Sequence, residues 1–385
     1  MRFIVFGAGM MGRAIAFDLA RSPGVEEVAV ADMDDAKARS VALWLKRHAD
    51  NAAIRPLQLD VAYYDDVVSA MDEVDVAIGA VSYTSNYLLS EAATEAGVHF
   101  LDLGGNNDVV DRQLGLDEKA RAANVCIIPN CGLAPGLANI LAVSGAKRFE
   151  TVDEIHMRVG GLPQHPRPPL NYQLVFSAEG LLNEYLEPAE VVRDGKIVKV
   201  ESMTEIEEIS FPPPFGELEA FHTSGGLSVL GRRFEGKARN MDYKTIRYKG
   251  HCEKFKLLLD VGFGSSEPIM IGDQIWTARE IFTDLLTKKL SGSDPDAVLL
   301  RVTITGIAGG ARCTLAYEMV DYYDDTNGIT AMMRTTSYPT SIIAQMIARG
   351  EIASHGTMPP EECVPAQPLV EELRRRNIII QENLT

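Results

Sequence analysis

The 385-residue chain is short of positive charge and of cysteine, and it has no long apolar run; each shortage narrows what it can do. Its 37 Lys and Arg against 54 Asp and Glu leave a net charge of −17. A phosphate backbone or an anionic lipid surface is repelled on approach, so nucleic acid and membranes are not expected partners. No stretch reaches the roughly 20 apolar residues that a membrane helix needs. Met1 leads at once into an apolar run at 3–6, which leaves no signal or transit segment, so the cytoplasm is the expected location. Cysteines 126, 131, 252, 313 and 363 are odd in number and scattered, without CxxC or Cys/His clustering. Neither a disulfide framework nor a metal site is therefore expected. Cys131 stands apart because its loop is polar and glycine-rich. Internal repeats and low-complexity linkers are also missing, while the length exceeds that of one compact core, so two domains are expected.

What is present begins with RFIVFGAGMMGRAIAFDLARSPGVEEVAVAD, residues 2–32. The spacing predicts a strand at 3–6, a helix at 10–21 stopped by Ser22-Pro23-Gly24, and a strand at 27–31. Gly7, Gly9 and Gly12 lie between strand and helix at the GxGxxG spacing. The first allows a tight turn, the second lets backbone approach a pyrophosphate, and the third permits close helix–strand packing. Met10 and Met11 open the helix, whose free N–H groups face the diphosphate. Asp32 follows the second strand, where a carboxylate accepts the ribose hydroxyls and repels a 2′-phosphate. With Met33, Asp34 and Asp35 next and no base before Lys37, the expected cofactor is NAD.

Alternation continues with a helix at 35–50, a strand at 54–59 closing on Asp60 and Val61, a helix at 64–71 and a buried strand at 74–80. That strand delivers Ala80, Val81, Ser82, Tyr83 and Thr84 to the rim that holds the glycine turn. A helix at 87–96, a strand at 99–103, a helix at 112–124 and a strand at 125–129 complete the unit. The fold class is thus α/β, a doubly wound parallel Rossmann sheet over 1–130, with Tyr83, Asp102 and Asn130 sharing the cofactor rim. From 131 to 336 the pattern becomes α+β: strands at 153–159, 196–200, 255–261, 298–305 and 313–320, helices near 176–185 and 277–290, and a Gly160-Gly161 turn. This predicts an open mixed sheet for substrate binding and oligomerisation. Residues 337–385 hold a late helix at 340–348 and a tail expected to pack back on the first domain. Two polar stretches concentrate side chains that a core does not need: 219–226, with His222 and Thr223, and 245–251, with Thr245, Arg247 and His251. Both read as loops.

GAGMMG with ADMD, LDLGGN, PNCGLAPG, VGGLP, EAFHTSGG, TIRYKGH and MRTTSYP occur in one order along the whole chain. Together they resemble the saccharopine dehydrogenase family, most closely its branch that dehydrogenates free lysine. The resemblance implies a Rossmann domain, a substrate domain inserted before a returning C-terminal helix, and subunits associating through the second domain as a homodimer or homotetramer. Saccharopine-forming members carry a PNRDS-like segment whose arginine grips the glutamyl carboxylate; the matching segment here, 222–226, lacks it. Free L-lysine is the substrate this implies, oxidised at its ε-amine by NAD with loss of ammonia. Thr245 and Arg247 match a substrate-binding stretch of the family, with Arg247 suited to a bidentate hold on the α-carboxylate. Candidates for the base are Asp102, His222, His251 and Tyr83. The alternatives are a saccharopine or carboxyalkyl-polyamine dehydrogenase and a non-catalytic NAD-binding regulator.

Overall fold

The structure, a computed structural model, describes residues 1–49, 52–292 and 294–385. It has two compact units: Met1–Ser144 with Asp325–Ile329 and Met333–Ile379, and Gly145–Asp324 with Thr330–Met332 and Ile380–Thr385. In chain order the elements are β1 (Arg2–Phe6), α1 (Met10–Arg21), β2 (Glu27–Asp32), α2 (Asp35–His48), β3 (Ala53–Gln58), α3 (Tyr64–Met71), β4 (Val76–Gly79), α4 (Asn86–Ala96), β5 (His99–Asp102), α5 (Asn107–Leu114), α6 (Asp117–Ala122), β6 (Cys126–Ile128) and α7 (Leu137–Ala146). Then come β7 (Thr151–Pro163), α8 (Ala178–Leu186), β8 (Ala189–Arg193), β9 (Lys196–Val200), β10 (Glu207–Phe211), β11 (Gly216–His222), α9 (Leu230–Phe234), β12 (Asn240–Tyr248), α10 (His251–Leu258), β13 (Pro268–Ile271), β14 (Gln274–Thr277), α11 (Ala278–Leu290), β15 (Asp296–Ala308) and β16 (Ala311–Tyr322). The chain ends with α12 (Ala331–Ala348), β17 (Gly356–Thr357), α13 (Pro360–Cys363), α14 (Ala366–Arg375) and β18 (Ile380–Leu384).

The first unit is built on a seven-stranded parallel sheet in the order β17-β6-β5-β4-β1-β2-β3. Strands β1, β2 and β4 are buried on both faces, which is why they read as unbroken apolar runs. The Asp34 carboxylate accepts from the N–H of Ala36 and Lys37 and so starts α2; Asp50, the expected end of this helix, lies outside the described residues. The single helix expected at 112–124 is two helices. Asn106 caps α5 by accepting from Val109 N–H, and the chain breaks at Gly115 before the acidic first turn of α6.

The second unit holds a nine-stranded mixed sheet. Its path runs β10-β11-β12-β7-β15-β16-β18, with β8 pairing β12 and β9 pairing β8. Among the described residues only β7 and β12 run parallel within it; the other pairings are antiparallel. Four expectations are corrected here. Gly160-Gly161 is not a turn: β7 runs through it to Pro163, and a Cβ on Gly160 would sit 2.4 Å from the Ile246 carbonyl of the neighbouring strand. Residues 255–261 are not a strand but the end of α10 and a further helical turn, Leu259–Phe263; burial at His251, Cys252 and Phe255 follows the helical period. The stretches 219–226 and 245–251 are loops only in part: Glu219–His222 lie in β11, Thr245–Tyr248 in β12, and His251 opens α10. Helix α12 starts at Ala331, not 340, and carries Pro339 inside it.

Candidate active site

The glycine turn separates what the chain needs from what a ligand needs. Gly7 has φ +107°, and a Cβ there would meet the Ala80 carbonyl at 2.5 Å; on Gly12 it would meet the Gly7 carbonyl at 1.8 Å. Both glycines are required by the packing of β1, α1 and the end of β4. Gly9 has an ordinary φ of −72°, and a Cβ on it would touch nothing within 4 Å. It therefore guards open space in front of α1, whose first N–H groups have no side-chain cap. A dinucleotide's diphosphate fits that cradle. Ser337 of α12 donates to the Met11 carbonyl at 3.0 Å and braces the turn from behind.

The rest of the expected cofactor set lies on the carboxyl ends of the same strands. Asp32 accepts from Ala8 N–H at 2.8 Å and Asp34 N–H at 2.9 Å, which fixes its carboxylate at the lip of the turn, with Met10 and Met33 exposed beside it. Asp60 accepts from Ala62 N–H at 3.0 Å in the turn after β3, with Val61 half-buried. Ala80 N–H donates to the Phe6 carbonyl at 2.7 Å, so Ala80, Val81 and Ser82 leave β4 directly beside β1. Tyr83 begins a short 3-10 turn and packs where a Cβ on Gly105 would come within 3.1 Å of it. Asp102 is fully buried and accepts from Gly104 N–H (2.7 Å), Asn130 N–H (3.3 Å) and Gln113 Nε2 (2.6 Å). Burial pushes its carboxyl up to about 6, against these three bonds. It ties two rim loops together. Cys131 is buried, its thiol donates toward the Ile128 carbonyl, and burial holds it well above the usual thiol range, so it is no thiolate nucleophile.

In the second unit β11 and β12 pair antiparallel, placing Phe221 opposite Thr245 and Glu219 opposite Arg247. Arg247 is 3% exposed. Its Nε donates to Tyr185 Oη at 2.9 Å, Nη1 donates to its neighbour's carbonyl, Ile246, and the guanidinium carbon lies 4.6 Å from the Tyr172 ring centre. Tyr185 Oη in turn lies 3.1 Å from His251 Nε2, while His251 Nδ1 lies 2.9 Å from the Leu170 carbonyl. A carbonyl only accepts, so Nδ1 carries the proton and Nε2 accepts from Tyr185. Desolvation and Arg247 lower His251 to about 3, so it stays neutral. Thr223 and Thr245 share a hydrogen bond at 2.9 Å, and Thr245 donates to Tyr243 Oη at 3.4 Å.

Among the described residues no carboxylate oxygen lies within 4.0 Å of the Arg247 guanidinium. Arg158, also buried, is closed by Glu207 and Asp242. Arg247 is thus a buried cation held by a hydroxyl, a carbonyl and two tyrosine rings, without a carboxylate in direct contact among the described residues. Glu184, half-buried next to Tyr185 on α8, is driven up to about 7 by desolvation, eased by Arg247. His222 is not part of this cluster. It faces Glu205 (3.2 Å) and the Tyr243 carbonyl (3.3 Å), on the strand face that also carries Lys244. Tyr172, Glu184, Tyr185 and Tyr243 were not singled out from the sequence. Tyr185 sits at the helical spacing of Ala178, Leu181 and Leu182, and its buried stripe looks the same whether it faces core or ligand.

The chain matches two family models, the saccharopine dehydrogenase NADP binding domain over residues 3–128 and the saccharopine dehydrogenase C-terminal domain over 132–379. The mitochondrial alpha-aminoadipic semialdehyde synthase of Mus musculus is 22% identical over 100% of this chain, which spans about half (48%) of that protein's length. The saccharopine dehydrogenase [NADP(+), L-glutamate-forming] of Saccharomyces cerevisiae is 21% identical over 96% of both chains. A solved structure of apo saccharopine dehydrogenase (L-Glu forming) from S. cerevisiae shares the fold, with a TM-score of 0.80 at 19% identity over 100% of this chain and 99% of that one. With both models covering nearly the whole sequence, the chain belongs to the saccharopine dehydrogenase family, and its first unit is an NAD(P)-binding domain.

Proposed function

We propose that the protein is an NAD-dependent lysine 6-dehydrogenase, converting the ε-amine of L-lysine to 2-aminoadipate 6-semialdehyde with release of ammonia, the product then cyclising. The observation that carries this reading is the buried Arg247 guanidinium, which has no carboxylate in contact among the described residues and suits the α-carboxylate of an amino acid. Leaving such a charge without a partner costs several kcal/mol, about 3–5 where a buried pair is broken. Gly9 and the α1 N-terminus would hold the diphosphate and Asp32 the adenosine ribose. When bound, NAD supplies the hydride acceptor; the protein's own groups bind, orient and exclude water. Arg158, the unit's other buried arginine, is already paired, so one carboxylate is served and a glutamyl conjugate's others are not.

The reacting amine has to be neutral. At pH 7 an ε-ammonium of pKa about 10.4 is deprotonated to roughly one part in 2,500, a deficit of about 4.6 kcal/mol. His251 and His222 are both committed to hydrogen bonds within the fold, so an alkaline optimum is expected. A second reading, oxidation of saccharopine, is favoured by the yeast relative, whose name specifies NADP(+) and L-glutamate formation. The test is absorbance of reduced nicotinamide at about pH 9.5, with NAD or NADP and either L-lysine or saccharopine. Turnover of lysine with NAD and ammonia release is expected; turnover of saccharopine alone would replace the first reading by the second.

A further inference from the structure

Most of the large apolar side chains that the second unit leaves exposed lie along one excursion of the chain, from α10 through β13 and β14 to α11. Strands β13 and β14 form a hairpin turned by Gly272 and Asp273, and among the described residues it pairs with no other strand. Side chains alternate along a strand and opposite residues share a face, so Ile269 and Trp276 lie on one face, Met270 and Ile275 on the other. These four and Ile271 are 41–75% exposed. Both faces of the hairpin are therefore apolar and uncovered, in a two-stranded element that is marginal by itself in water. Its root is nevertheless fixed. Thr277 ends β14 and opens α11 with a capping box, Arg279 N–H donates to the Ser265 carbonyl at 3.0 Å, and the Phe263 and Phe282 rings stand 5.3 Å apart. Leu257, Val261 and Leu285 extend the exposed apolar surface over that root.

Area and charge together select the occupant. At roughly 200 Å² for a whole large side chain, the five hairpin residues expose on the order of 500 Å². The root brings the patch to the roughly 800 Å² that each partner contributes to a stable interface. The chain carries a net charge of −17, which drives copies apart wherever charge faces charge. Residues 268–277 hold a single charge, Asp273 in the turn, and the root's Lys256–Asp260 and Lys288–Asp284 pairs cancel internally. This near-neutral apolar patch is where two copies can meet without repulsion, and a two-fold axis sets the same patch against itself.

We propose that the hairpin 268–277 is a dimerisation arm, packing reciprocally on the hairpin and apolar root of a second copy of this chain. The test is sedimentation velocity of the full chain over the micromolar range, with hydrogen exchange of the hairpin amides. The parent is expected to be a dimer whose hairpin amides are protected and lose that protection on dilution. Met270→Glu with Ile275→Glu charges one face and should weaken the dimer by about 100-fold, the scale of losing central apolar anchors. Circular dichroism and NADH titration should stay unchanged, since the glycine turn belongs to the other unit. If that variant does not fold, the parent's exchange alone decides. A monomeric parent, a variant dimer as tight as the parent's, or hairpin amides that exchange freely within the dimer overturns the proposal. A dimer untouched by the substitutions, with a raised KM, would make the hairpin a cover over the chain's own site instead.

Discussion

Gly9 and Gly12 stand three residues apart and answer to different demands. A methyl on Gly12 collides with backbone, whereas on Gly9 it enters empty space at a backbone angle that alanine adopts freely. Gly12→Ala is expected to cost about 3 kcal/mol, the upper range of overpacking, while Gly9→Ala leaves stability within about 0.5 kcal/mol and weakens the dinucleotide. Thermal melts and fluorescence titration with NADH separate the two; a Gly9→Ala protein that binds as well as the parent would remove the diphosphate from this cradle. Asp102 carries a pH dependence of definite sign. Its carboxyl rises from 3.8 unfolded to about 6 folded, so its favourable contribution is complete below about pH 4 and is lost as pH rises through 6. Asp102→Asn keeps the shape without the charge. Relative to the parent it should gain up to about 3 kcal/mol of stability between pH 4 and pH 7, read from urea melts at both pH values. The spacing of the glycines was legible because each satisfies a local backbone rule. The burial of Asp102 was not, since its partners Gln113 and Asn130 come from other elements.

Elements were legible where a single period ruled them. Helix α1 and strands β1 and β2 emerge from the sequence almost residue for residue, and β4 within its expected span, because strands buried on both faces and a helix with clear stop signals leave an unambiguous pattern. Strands β11 and β12 did not, because their polar residues are satisfied by partners from other segments: His222 by Glu205, Lys244 by Glu207, Arg247 by Tyr185 of α8. Tyr185 couples α8 to β12 and α10 through one hydroxyl. Tyr185→Phe leaves His251 Nε2 and Arg247 Nε unmatched, so a loss of about 1–3 kcal/mol is expected, with KM for lysine rising more than kcat falls. Unchanged KM in that variant would detach Arg247 from substrate. Gly160 binds β7 to its neighbour: Gly160→Ala pushes Ile246 and should lower stability by about 1–3 kcal/mol, visible as an earlier urea midpoint.

Across the whole molecule, charge and thiols set simple expectations. All five cysteines are free, so reductant should leave the melting temperature unchanged; a shift would reveal an intersubunit or surface bond. Among the described residues no helix is long and apolar enough to cross a membrane. The parallel sheet and the glycine turn were readable from order and periodicity, since each is specified by neighbours along the chain. Folding in three dimensions settled other matters. It put His222 and Arg247, both on polar stretches of the second domain, on different faces of one sheet, because strand side chains alternate. It also surrounded Arg247 with Tyr172 and Tyr185 from segments more than 60 residues away. Local sequence dictates dihedral angles and which face is apolar, whereas the partner of a buried charge is chosen only when distant segments pack and exclude water from around it.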